Sequence, residues 1–145
     1  MTWLARNAFA LGVAAAGGLA AALVLSSFAL AEWDSAFGVP YRTRVIAARS
    51  IPPGRLMAID AAAWRWITRR PVVVTPADLG PCAFAQASYS AVKWLILEEA
   101  HFSAYDPIFR GTDRPEYIGA AQVVGDIRIY PIDLKRAETL CENGR

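Results

Sequence analysis

The sequence predicts a mainly β domain with short helical turns, set after one N-terminal transmembrane or signal helix. Three observations carry this expectation. Residues 8–31 form an uncharged apolar run. Beyond it, short β-branched and aromatic runs alternate with breaks marked by Pro and Gly. The 114 residues after Ala31 are enough for one hydrophobic core and too few for two independent ones. The expected organisation is an export segment over 1–31, a linker over 32–44 and a single extracytoplasmic domain over 45–145.

The run Ala8–Ala31 reads AFALGVAAAGGLAAALVLSSFALA. As a helix it would extend about 36 Å, enough to cross a hydrocarbon core. Arg6 precedes it, and Glu32 and Asp34 follow, which places the N-terminus in the cytoplasm. Two fates stay open. The length favours an uncleaved anchor, giving an inner-membrane protein with a single pass and a periplasmic C-terminal domain. The small-x-small tripeptide Ala29-Leu30-Ala31 fits cleavage after Ala31, giving a periplasmic protein.

Residues 32–44 read as linker because Gly38 and Pro40 break regular structure. Val45–Ala48 is a short strand candidate, and Ile51-Pro52-Pro53-Gly54 is a turn. Arg55–Ile59 is the returning strand. Asp60 caps one helical turn over the three alanines that follow. Trp64–Thr68 alternates like a strand, and Val72–Val74 is a β-branched run. Residues 75–82 form a loop, and 103–116 form a polar loop rich in Pro and Gly. The stretch 88–101 is ambiguous: VKWLIL favours strand and EEAH favours helix. Tyr117–Ala121 and Ile127–Ile132 are strand candidates, and Asp133–Cys141 is a terminal helix.

Charge is nearly balanced, with a net of +2 over the chain, so bulk charge does not point to nucleic acid. Its distribution is uneven. Seven arginines face three acids between residues 32 and 70. Beside a membrane, such a half can meet anionic headgroups or an acidic partner. Arg49, Arg55 and Arg65 are the candidate binding residues. The two cysteines, Cys82 and Cys141, fit one disulfide in an oxidising compartment. Two cysteines 59 apart and one histidine, His101, do not make a closed metal shell, and no cofactor is expected. His101 has no evident acid–base partner in the sequence.

Two resemblances bear on function. Arg49-Ser50-Ile51-Pro52-Pro53-Gly54, Leu56-Met57 and Asp60 are similar to the SAF domain, a β-clip fold found in antifreeze-like proteins, flagellar P-ring chaperones and Flp pilus-assembly proteins. Ser50 stands where that family has aspartate. Ile118–Ala121 and Asp126–Ile132 resemble the family's second half, without its glycine before Pro131-Ile132. The resemblance implies assembly of a surface structure, such as a pilus or secretion apparatus, by binding protein or cell-wall partners.

Ser50–Gly54 also fits Ser-x-Pro-x-Gly, which resembles the nucleophile box of conjugative-transfer signal peptidases. That resemblance implies Ser50 as nucleophile and Lys93 as its base. Asp106, Gly111 and Gly119 resemble its C-terminal box. Trp94 stands where the family has an arginine after its lysine. A third reading is a small accessory subunit of a membrane complex, whose five tryptophans help form an interaction surface. Assembly is the leading reading, and catalysis is the alternative.

Overall fold

The computed structural model of the protein describes residues 3–86 and 91–144. Two compact units divide the chain, Met1–Tyr41 and Arg42–Arg145.

The first unit is dominated by α1, Trp3–Trp33. Within it, Val13–Trp33 is long and apolar enough to cross a membrane, about 32 Å at helical rise. The hydroxyls of Ser26 and Ser27 donate to the carbonyls of Ala22 and Val24 one turn back, at 2.6 and 2.7 Å. These polar groups are therefore satisfied inside the helix, as a lipid environment requires. The expected linker over 32–44 is helical instead. A π-helical turn, Asp34–Gly38, leads into α2, Val39–Ser50. Pro40 is the second residue of α2, directly after the π-helical turn, so it lies within a continuous helical stretch rather than breaking it.

In the second unit the strands are β1 (Arg55–Ala58), β2 (Val72–Val74), β3 (Val92–Leu97), β4 (Gln122–Val124) and β5 (Ile127–Pro131). They form one mixed sheet in the order β2-β1-β3-β5-β4. β1 runs parallel to both β2 and β3, whereas β5 is antiparallel to β3 and β4. The helices are α3 (Ala61–Thr68), α4 (Pro81–Ala85), α5 (Asp106–Arg110) and α6 (Leu134–Asn143). The domain is thus not mainly β: helices cover both faces of the sheet.

Side-chain alternation builds the two cores. Leu56, Ala58, Ile96, Ile127 and Ile129 face one way and pack with Ala47, Ile51 and Trp64 beneath α2 and α3. Met57, Leu95, Leu97 and Tyr130 face the other way and pack with Phe84, Tyr105, Ile108 and Ala137 from α4, α5 and α6. Both faces of β1 and β3 are buried, as expected of parallel strands flanked by crossover helices.

Several expected elements changed type. Val45–Ala48, including the strand that the SAF resemblance implies, is part of α2. Trp64–Thr68 is the body of α3: Asp60 Oδ1 accepts from the Ala63 N–H at 3.1 Å, and the cap carries the helix through both tryptophans. The expected loop 75–82 ends in α4, which opens at Gly80-Pro81. The polar loop 103–116 contains a 3-10 turn and α5. Tyr117–Ala121 makes only an isolated bridge, Ile118 to Ile132. The ambiguous stretch 88–101 contains β3, and residues 88–90 of it lie outside the described residues. The strands over 55–59, 72–74 and 127–132 and the terminal helix capped by Asp133 are present as expected.

Cys82 of α4 and Cys141 of α6 form a disulfide, with Cα atoms 4.8 Å apart. It closes a loop of 59 residues, worth about 4 kcal/mol through the entropy of the unfolded chain. Three phenols tie further segments to the same face. Tyr105 donates to the Pro76 carbonyl at 2.8 Å, Tyr117 to that of Leu79, and Tyr130 to that of Ile108 at 2.8 Å.

Candidate functional site

The parallel strands set one place for a site by topology. The chain goes from β1 through α3 to β2, then through α4 across to β3, so the connection reverses direction between β1 and β3. In open α/β sheets the carboxyl ends of such a strand pair form a ligand crevice. Here Asp60 follows β1 and Glu98 follows β3, and Arg44 of α2 bridges them. Its Nη1 donates to Asp60 Oδ2 at 2.9 Å, and its Nε donates to Glu98 Oε1 at 2.5 Å. Trp64 Nε1 donates to Glu98 Oε2 at 3.2 Å. Burial pulls the Arg44 guanidinium down, and its bonds to Glu98 and Asp60 outweigh this, so its pKa is raised. Arg44, Asp60, Glu98 and Trp64 answer one another and lock α2 and α3 to the sheet. The buried Thr75 hydroxyl, just past β2, has no hydrogen-bond partner among the described residues.

Ser50 and Lys93 share no hydrogen bond. Ser50 Oγ donates to the Ala47 carbonyl at 2.8 Å within the last turn of α2. Lys93 is exposed, and its aliphatic stem lies against Gly54. Trp94, its neighbour, donates through Nε1 to the Pro53 carbonyl at 3.4 Å. The Pro-Pro-Gly turn is thus packed on the start of β3 by stem and ring contacts. His101 does have a carboxylate partner: Nε2 meets Asp106 Oδ1 at 2.9 Å, while Nδ1 meets the Glu98 carbonyl at 2.6 Å. Both ring nitrogens face oxygen partners of the protein.

What faces solvent is an arginine–tryptophan surface on α3. Ala62, Arg65, Trp66 and Arg69 recur at helical spacing and share the face opposite buried Trp64. Trp66 is 62% exposed. The Arg69 guanidinium lies 4.1 Å from its ring centroid, a cation–π contact that holds both groups outward. Arg69 itself adopts the left-handed conformation that ends α3, with φ 58°. Arg70 is fixed by donating to the carbonyls of Pro52 and Ile51 at 2.8 and 3.0 Å. Together with Pro71 and Val72 these groups line a cleft of about 570 Å³ whose walls carry three arginines and no carboxylate.

Of the arginines expected to bind, only Arg65 lines this cleft. Arg49 is exposed on α2, and Arg55 is half-buried at the start of β1. Trp66, Arg69 and Arg70 belong to the site and were not singled out as binding residues. The Arg65, Trp66, Arg69 spacing would have grouped them had the segment been read as helix. Among the described residues no group of three His, Cys, Asp or Glu side chains gathers in a metal-ligand arrangement. Comparison with protein-family models, with curated proteins and with solved structures found no match to this chain.

Proposed function

We propose that the chain is a membrane-tethered accessory module that works by binding, and that its domain docks an acidic protein partner of a cell-envelope assembly. The observation that carries the reading is the carboxylate-free cleft formed by Arg65, Trp66, Arg69 and Arg70. Arginine and tryptophan are the residues that most often anchor protein interfaces, and a stacked Arg–Trp pair loses little side-chain freedom on docking. The apolar helix and the disulfide support a position at the membrane with the domain outside the cytoplasm, either anchored or released by cleavage after Ala31. The SAF-like stretch supports assembly over catalysis: Ile51 is buried, Gly54 turns the chain at φ 145°, and Asp60 caps the next helix. Ser50 has no base in hydrogen-bond contact.

The test is a photo-crosslinking residue placed at Trp66 in cells, compared with one at exposed Val123 on the opposite sheet edge. Position 66 should yield a discrete adduct with an envelope protein. Arg65→Glu with Arg69→Glu should abolish the adduct without changing the amount of protein. Equal labelling from both positions, or an adduct indifferent to charge reversal, refutes the docking face. A reporter active only outside the cytoplasm, fused after Arg145, tests the location. Its inactivity would overturn the extracytoplasmic placement.

A further inference from the structure

A second basic cleft lies at the other edge of the sheet, where α5 and the turn after it meet the β4–β5 hairpin. Its volume is about 630 Å³, and Arg110, Arg114 and Arg128 line it with Asp113 as the single carboxylate. The floor is apolar, from Ile108, Phe109 and Tyr130.

Each arginine is placed by local chemistry. Arg110 is the last residue of α5, and Gly111 ends that helix in the left-handed conformation, φ 73°. The turn brings Arg114 back to the same cleft. Arg128 reaches it from β5 and lies over the Phe109 ring, 4.1 Å from its centroid. His101 packs on that ring as well, with centroids 4.4 Å apart. Phe109 thus touches both the imidazole of His101 and the guanidinium of Arg128. Asp106 holds His101 in turn at 2.9 Å. The Phe109 ring and the Asp126 carbonyl, which accepts from Arg128 Nη1 at 3.3 Å, therefore position one guanidinium before any ligand arrives.

The competing acceptors are already used. The Pro107 carbonyl accepts from the Thr112 N–H at 2.9 Å and the Asp113 N–H at 3.3 Å, and the Ile108 carbonyl accepts from the Gly111 N–H and the Tyr130 hydroxyl. One carboxylate oxygen of Asp113 accepts the Arg114 N–H at 2.7 Å. Among the described residues Arg110, Arg114 and Arg128 make no ion pair with a carboxylate. Arg128 and Arg114 both pull the Tyr130 phenol down against the burial that raises it, which places both charges near one floor residue.

From this arrangement we infer that the α5/β4–β5 cleft is a binding site for a small, doubly charged phosphate-bearing solute. Three guanidiniums against one carboxylate leave two positive charges, which match a phosphate dianion. Guanidinium forks bind such oxygens through paired N–H groups, and the stacked Arg128 supplies one fork already oriented. This site is independent of the α3 docking face.

The probe is inorganic phosphate at pH 8, where it is the dianion, titrated calorimetrically into the full chain in uncharged detergent at low salt. One saturable site is expected. Arg110→Gln with Arg114→Gln, both exposed, should weaken it by roughly a hundredfold, and Arg128→Gln by roughly tenfold. Asp113→Asn should tighten it severalfold, because it removes the one repelling charge. Arg65→Gln with Arg69→Gln, on the other edge, should leave it unchanged. Absence of saturable binding overturns the inference. So does equal weakening by the Arg65/Arg69 pair, which would mean attraction to bulk charge. Arg128→Gln is scored only if its thermal melt matches the parent, and the Arg110/Arg114 pair decides the matter alone.

Discussion

Tyr117 shows how one atom can set a pH limit for the whole domain. Its ring is 2% exposed beside Phe84, and its hydroxyl donates to the Leu79 carbonyl. Burial, aided by the charge of Asp78, pushes its pKa up to about 12. Burial also raises Tyr105, with smaller contributions from Tyr117 and Asp78. The protonated phenol is the form the fold favours, so its contribution is complete below the unfolded value near pH 10. As pH rises from about 10 toward 12, the unfolded chain releases the proton and the folded chain does not. Stability should then fall by about 1.4 kcal/mol per pH unit for each such tyrosine. Urea unfolding from pH 7 to 11.5 should be flat to about pH 9.5 and then decline. Tyr117→Phe, though less stable at neutral pH, should decline with a shallower slope. Parallel curves for the two proteins would exclude Tyr117 from the alkaline transition. None of this was legible in the sequence, where Tyr117 was only the start of a strand candidate. Its consequence depends on a carbonyl 38 residues away.

At the scale of an element, α3 decides how the sequence should have been read. Trp64-Arg65-Trp66 alternates, and a strand would put both tryptophans on one face. The helix separates them: Trp64 is fully buried and Trp66 is 62% exposed. Trp64→Ala should cost about 3–5 kcal/mol by opening a cavity, whereas Trp66→Ala should change stability by less than about 0.5 kcal/mol. Denaturant titration of the two variants checks this, and similar losses would mean that the ring at 66 is also core. The deciding signal was in the sequence: Asp60 capping Ala61-Ala62-Ala63 favours helix, and a nucleated helix does not stop for an alternating pair. The same weighting applies to α5, where Asp106-Pro107 begins the helix and Gly111 ends it. β4 and β5 are joined by Gly125-Asp126, a two-residue hairpin turn with Gly125 at φ 61°. That turn was readable from sequence and would have located β4. The conversion of Val45–Ala48 to helix was less readable, because α2 is held by Arg44 reaching Asp60 and Glu98, 16 and 54 residues on.

For the molecule as a whole, the surface carries more of the proposed function than the crevice. The sequence correctly signalled the apolar helix, the cysteine pair and three strands, because each depends on local pattern or on pairing by elimination. The parallel order β2-β1-β3 was hidden, because no short motif records which strands become neighbours. That order brings Arg44, Asp60 and Glu98 together and closes them on one another. Six of the arginines left outside fall into two clefts at opposite edges of the sheet, one around Trp66 and one around Phe109.

The bond between Cys82 and Cys141 also makes the domain a covalent ring with a tail. Everything from α4 to α6, including β3, α5, β4 and β5, lies on the closed circuit. A single cut anywhere on that circuit opens the ring without releasing a piece. Arg110 is exposed on it and, followed by Gly111, is a trypsin site, whereas Pro115 protects the bond after Arg114. A chain cut once, after Arg110, should therefore run near full length on a non-reducing gel and separate into two fragments once reductant is added. Fragments that part without reductant would show that the circuit is not closed. A protein built this way tolerates a nick in this exposed loop, because its two halves stay joined through Cys82 and Cys141.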